Sequence, residues 1–180
     1  MSGVSIIIPY HQHNNYIRDC LDSIVSLDND NVEVIIVLDH VKIEEIAQVL
    51  IRYKDTLNLV CIEMDADTGV GAARNMGIEK ASKEYLYFLD SDDYLIDQGL
   101  NQMIAVADQK HAAIVSGITV DTWYKRYTFM KDYLMNNKSN TIKQYNLLEQ
   151  LFKSEDISAL NTLIRKSFVC KHAIQFMKKN

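Results

Sequence analysis

Proline is almost missing from this sequence: Pro9 is the single one in 180 residues, and there is no Gly/Ser-rich or low-complexity linker. Nothing therefore marks a flexible junction between separate domains, and the length fits one domain burying roughly 70% of its unfolded surface. Cysteine is scarce and odd in number, with Cys20, Cys61 and Cys170 far apart. That spacing excludes a disulfide framework and the CxxC patterns of zinc sites. Cys20 and Cys61 lie among apolar neighbours and read as buried, reduced thiols, which suits a cytoplasmic protein. Unbroken apolar runs stop at about five residues, against the ~20 of a spanning helix, and no secretory leader is visible. Positive charge is in deficit: the net charge is −5, which argues against a nucleic-acid surface. Lys178 and Lys179 leave room only for peripheral attachment at the inner membrane surface.

What the chain does contain is alternation. Val4–Ile8 is a β-branched run that Pro9 is expected to stop, and Ile17, Cys20, Leu21, Ile24 and Val25 follow at helical spacing. Val32–Leu38 reads as a second strand ending at Asp39, and Ile43, Ile46, Ala47 and Leu50 as a second amphipathic helix. Leu57–Met64 is the third strand. A loop from Asp65 to Gly71 then opens a helix around Ala72–Ile78. Tyr85–Leu89 is the fourth strand, Leu100, Met103, Ile104 and Ala107 mark a fourth helix, and Ala113–Val120 reads as a fifth strand. Near-continuous apolar strands between helices predict an α/β fold, a mainly parallel (mixed) sheet flanked by helices. Beyond Asp121 the tyrosines Tyr124, Tyr127, Tyr133 and Tyr145 lie among polar residues, as in a surface excursion. Leu147–Phe152 is expected to be helical, Ala159–Ile164 to be a short strand, and a last helix to start at Ser167.

The most informative stretch is the fourth strand with its end, Glu84 to Asp93. Strand formers stop abruptly at Asp90-Ser91-Asp92-Asp93. Taken alone, this is also an acidic turn capping the next helix. Three clustered carboxylates repel, however, and a hard divalent cation with oxygen ligands relieves that repulsion. In a parallel sheet all strand carboxyl ends share one edge, where such sheets bind ligands. Asp39, the turn Pro9-Tyr10-His11 and the acidic cluster can therefore converge, and Arg74 enters from the third helix. Carboxylates for a cation, a guanidinium for phosphate and an acceptor for a base N–H together suit a nucleoside diphosphate. His11 and His13 lack an adjacent third ligand and read as loop residues.

These motifs resemble family 2 glycosyltransferases of the GT-A, Rossmann-like nucleotide-diphospho-sugar transferase fold. Val4–Pro9 with Tyr16–Ile24 resembles the family's first strand and helix, and Glu33–Asp39 its second strand. Gly69-Val70-Gly71-Ala72-Ala73-Arg74-Asn75-Met76-Gly77, followed by Phe88-Leu89-Asp90-Ser91-Asp92-Asp93, is the most specific pair. The resemblance covers Val4–Val120 and, more weakly, Asn161–Ser167. It implies a metal-assisted, inverting glycosyltransferase that takes a nucleotide-diphosphate sugar, a UDP-sugar above all, and a carbohydrate or glycolipid acceptor. Pro9 and Tyr10 would line the nucleotide pocket and Asp39 would hydrogen-bond the base. Arg74 would sit near the pyrophosphate, or tie its helix to the acidic loop. Asp90, Ser91 and Asp92 match the DxD motif, with Asp92 first and Asp90 second as ligands of Mn²⁺ or Mg²⁺, and Asp93 as an alternative. On this reading residues 1–120 bind the donor and 121–180 begin the acceptor side.

The chain also departs from the family. Leu38 stands where a first acid is usual, His40-Val41 where Gly-Ser is usual, and Tyr10-His11-Gln12 replaces the usual first loop. The family's catalytic base is expected beyond Asn180, and Glu155-Asp156 precedes the stretch it should follow, so no catalytic residue is assigned. A non-catalytic nucleotide-sugar-binding module is the alternative. A phosphatase or an NAD-binding domain would need its acidic or Gly-rich turn after the first strand, not where it stands here. Phe168, Ile174 and Phe176 are expected to lack cover and to favour self-association.

Overall fold

In the computed structural model, residues 1–11, 16–65, 69–96, 98–117 and 160–177 are described. They form a sheet flanked by helices, as the alternation predicts. The strands are β1 (Val4–Tyr10), β2 (Val32–Asp39), β3 (Asn58–Met64), β4 (Tyr85–Phe88), β5 (Ile114–Ser116) and β6 (Thr162–Arg165). The helices are α1 (Ile17–Val25), α2 (Ile43–Leu50), α3 (Gly69–Lys80), α4 (Gly99–Lys110) and α5 (Lys166–Lys171). The six-stranded sheet has the order β3-β2-β1-β4-β6-β5. The first four strands are parallel, and β6 runs antiparallel to both β4 and β5. Residues 160–177 thus return to the sheet of the first 117, and β6 inserts between two strands that precede it. The tyrosine-rich segment, Leu147–Phe152 and Glu155-Asp156 lie outside the described residues.

The near-continuous apolar runs of β1 and β2 are explained by burial on both faces. Ile6, Ile8, Val34, Ile36 and Leu38 face a core closed by Ile17, Leu21 and Ile24 of α1, Ile46 of α2, and Leu100 and Ile104 of α4. Ile7, Ile35, Val37, Leu86 and Phe88 face the opposite core, under Ala73 of α3 and Val169 of α5. At the amino-terminal edge, buried Glu33 accepts hydrogen bonds from Ser5 Oγ (2.7 Å) and from the Ser82 amide and Oγ (2.9 and 2.7 Å). Burial pushes this carboxyl up, but the hydrogen bonds and the charge of Lys83 outweigh it and hold it below its ordinary 4.5.

Three local expectations need correction. Pro9 does not stop β1, which runs on to Tyr10. Gly3 and Ile7 carbonyls accept from Tyr85 and Leu89 of the β4 segment, whereas the Val4 amide points to Asn31 beside β2. Odd residues therefore face β4, whose pairing ends at the Leu89-to-Ile7 bond, so the N–H that Pro9 lacks falls just past the last rung of that ladder. The expected loop through Gly69 and Gly71 is instead the first turn of α3. Its inner face is made of small residues, Gly71, Ala72, Ala73 and Gly77, so hydrophobic spacing is a weak signal there. A Cβ at Gly77 would lie 2.3 Å from Ile7 Cγ2, so close seating of the helix on β1 requires glycine. Finally, β5 covers only Ile114–Ser116 of the expected 113–120, and residues 118–120 lie outside the described set.

Candidate functional site: the carboxyl edge of the parallel strands

Parallel pairing fixes which residues share an edge. Tyr10 of β1 stands opposite Leu38, one residue before Asp39, while Ile7 stands opposite Phe88, two residues before Asp90. Since β1 lies between β2 and β4, Asp39 and Asp90 flank its end, with backbones roughly 10 Å apart across two strand spacings. The predicted residues of the first, second and fourth strand ends are thus brought to one edge.

Asp39 is not the exposed strand-end carboxylate that a turn position suggests; it is only 2% exposed. Its Oδ2 accepts the amide N–H of Gly69 at 3.1 Å, so the end of β2 caps the start of α3. A carboxylate at a helix amino terminus is favourably placed for the macrodipole as well. His11 Nδ1 donates to the Asp39 carbonyl at 3.0 Å, which fixes the proton on that nitrogen. His40, next in sequence, takes the left-handed conformation (φ 58°) while its amide bonds to the Met64 carbonyl at 3.1 Å. The departure from Gly-Ser noted above therefore falls on a position where the backbone favours glycine. Pro9 is half-buried opposite Val37, and Tyr10 is buried. Leu38 is fully buried in the α1/α4-side core, which suits an apolar residue at this place.

At the end of β4 the chain turns sharply, the Asp93 amide donating to the Asp90 carbonyl at 3.0 Å. Asp90 is half-buried and Ser91 buried, while Asp92 and Asp93 are exposed. Arg74 of α3 reaches over and donates from Nη2 to Asp90 Oδ1 at 2.8 Å, so the helix is tied to the acidic turn. The Cys20 thiol, beneath the turn, is pushed well above its ordinary range by burial first, then by the charges of Asp93, Asp92 and Asp90. Burial, and then Asp93, raises the Tyr87 phenol too. The negative potential of three carboxylates is thereby felt at one point.

The donor set is suited to a hard cation: carboxylate oxygens, two of the three side chains open to solvent. Among the described residues, no three acidic, histidine or cysteine side chains already converge as a metal site. Asp92 and Asp93 are the exposed acids of the turn, and Asp90 has one oxygen engaged by Arg74.

Sequence reasoning placed the strand and helix that became β6 and α5, but missed the packing of the residues that follow them. Phe176 packs edge-on against Phe88 (4.9 Å) and under the Arg74 guanidinium (5.4 Å). The expectation that it lacks cover is thus overturned, although Ile174 and Met177 are exposed. Nothing local in the sequence marks this pairing, which joins residues about a hundred positions apart. Cys61 is half-buried rather than buried, and all three thiols are free.

The comparisons with known proteins agree with this geometry. Staphylococcus aureus TarS, a poly(ribitol-phosphate) beta-N-acetylglucosaminyltransferase, is 28% identical over 117 residues, 64% of this chain and 20% of TarS. The crystal structure of TarS 1–349 in complex with UDP-GlcNAc matches with a TM-score of 0.71 at 23% identity, over 98% of this chain and 49% of that one. The Bacillus subtilis putative glycosyltransferase EpsH is 26% identical over 175 residues, 97% of this chain and 50% of its own length. The chain spans half or less of the length of these relatives. No helix among the described residues is long and apolar enough to cross a membrane. The Glycosyl transferase family 2 model matches residues 5–172, and with the GT-A-type sheet and the strand-edge acids in place, the chain belongs to that family.

Proposed function

We propose that this chain is the donor-binding part of a cytoplasmic, inverting glycosyltransferase that takes a UDP-sugar and serves a carbohydrate or lipid-linked acceptor. The observation that carries the reading is the placing of Asp39 and the Asp90–Asp93 turn on either side of the β1 end, with Arg74 between α3 and the turn. In this arrangement Asp39 accepts an N–H of the base, and Pro9 and Tyr10 border the nucleotide. Asp92, with Asp90 and Ser91 beside it, faces the diphosphate, and Arg74 contributes the nearby positive charge. Mn²⁺ or Mg²⁺ held by Asp92 and Asp90 would supply compensation for the negative charge of the diphosphate. The TarS complex with UDP-GlcNAc supports UDP as the nucleotide to try first. No residue is assigned as the base that takes the acceptor proton.

Isothermal calorimetry with UDP, with and without Mn²⁺, tests the reading. The wild type is expected to bind in a cation-dependent manner, and Asp92→Asn to lose at least about tenfold in affinity, ~1.4 kcal/mol. Equal affinity of the two proteins in Mn²⁺ rejects the metal assignment. Incubation with UDP-sugars and acceptor candidates separates a transferase from a binding module.

A further inference from the structure

The Arg74–Asp90 pair is the joint between α3 and the acidic turn, and the structure shows an elaborate means of holding it. Arg74 is 14% exposed, and its Nε is buried without a hydrogen-bond partner among the described residues. A single bond from Nη2 to Asp90 does not fix a guanidinium, whose long stem has many rotamers. The second constraint is the ring of Phe176, over which the guanidinium lies. Arginine stacks on aromatic faces because its planar, weakly hydrated cation meets the negative face of the ring.

Phe176 is held in turn from three sides. Asn75, adjacent to Arg74 on α3, bonds both backbone groups of Phe176: Nδ2 donates to its carbonyl at 3.0 Å and Oδ1 accepts its amide at 2.9 Å. The ring packs edge-on against Phe88, two residues before Asp90 on the strand that leads to the acidic turn. Beyond it, the Met177 carbonyl lies so close to α3 that a Cβ on Gly71 would be 1.9 Å from its oxygen. The same short segment thus registers the helix that carries Arg74 and the strand that carries Asp90.

We propose that Phe176 is a positioning residue of the donor site. Clamped by Asn75 and seated over Gly71, it holds the Arg74 guanidinium against Asp90, so that a fixed cation stands beside the diphosphate. This rests on the donor reading above. It adds that residues 174–177, far from the recognised motifs, set the strength of donor binding through Arg74.

The experiment compares UDP affinity in Mn²⁺ for wild type, Phe176→Leu, Phe176→Tyr, Asn75→Ala, Arg74→Lys and the Arg74→Lys/Phe176→Leu double variant. Phe176→Leu and Asn75→Ala are expected to bind UDP five- to twentyfold more weakly. Phe176→Tyr, which keeps the ring face, should stay within twofold of wild type. In the Arg74→Lys background, Phe176→Leu should add less than twofold, because the group it positions is gone. Undiminished affinity in Phe176→Leu, or effects of Arg74→Lys and Phe176→Leu that multiply, overturns the proposal. A readout independent of UDP is the Arg74 Nε–H resonance, assigned through Arg74→Lys. It should be slow to exchange in wild type and in Phe176→Tyr, and fast in Phe176→Leu; equal exchange in all three refutes the positioning. Wild type that fails to bind UDP would reject the donor reading, while the resonance still decides the role of Phe176.

Discussion

Replacing Asp39 separates its two roles, one in the fold and one in the donor site. In the fold, its carboxylate accepts the Gly69 amide at the start of α3, and the side chain is buried. Asp39→Ala removes a charge-assisted bond, worth about 1.5–3 kcal/mol. Part of that sum is the helix-terminus interaction, typically ~0.3–1 kcal/mol, so the two are not added. The expected loss is about 2 kcal/mol, and with a urea m-value of ~2 kcal/mol/M the midpoint should fall by roughly 1 M. Asp39→Asn keeps an acceptor and loses the charge, so about 1 kcal/mol is expected. Urea unfolding followed by circular dichroism reads both, with m unchanged. The Asn variant, still folded, then reports the donor role by calorimetry, where UDP affinity should drop about tenfold or more, ~1.4 kcal/mol. A midpoint for Asp39→Ala equal to wild type would refute the capping argument. Full UDP affinity in Asp39→Asn would refute the base contact.

Other consequences follow from neighbouring features. Glu33→Gln should cost about 1.5–3 kcal/mol at pH 7. Because the folded Glu33 carboxyl is held below its ordinary 4.5, that stabilisation is fully present above about 4.5 and is lost as pH falls through the folded value. The wild-type minus Gln difference should therefore shrink in acid, and a pH-independent difference in urea midpoints counts against the role given to the Ser5 and Ser82 hydrogen bonds. Among the thiols, exposed Cys170 should react first with a disulfide reagent and Cys20 last; early loss of Cys20 in native protein would contradict its placement. His40→Gly relieves the left-handed strain at φ 58°. After the greater chain entropy of glycine is set against it, a net gain of about 0.5 kcal/mol is expected, a rise of roughly 1–2 °C in melting temperature.

The elements that could be read from the sequence are those whose signal is local. β1, β2 and β4 are apolar on both faces, α1 and α4 keep helical spacing, and each strand end that carries an acid is visible as a change of chemistry. Parallel pairing then brings Asp39 and Asp90 to one edge without any further information. The misplacements have equally local causes. Pro9 looks like a terminator because the side of the sheet its nitrogen faces is a property of the pairing, not of the pentapeptide before it. The start of α3 looks like a loop because Gly69 does take a turn conformation, φ 80°, and Gly71 lacks a side chain for close approach to Met177, so both glycines read as turn chemistry on paper.

The carboxyl-terminal strand and helix were legible as elements, but their place in the fold was hidden for a different reason. β6 enters the sheet after β5 in the chain but beside β4 in space, running against both neighbours. The Asn75 amide has no evident partner until Phe176, 101 residues later, presents its backbone. Neither fact leaves a periodicity or a motif at either end, since each contact is completed by a residue of ordinary type. The consequence for the site is concrete. Asp90 and Arg74, both within the recognised motifs, meet with the guanidinium lying over a ring that the motifs do not include. The ion pair is therefore legible as a possibility from the two motifs, and its rigidity only from the fold.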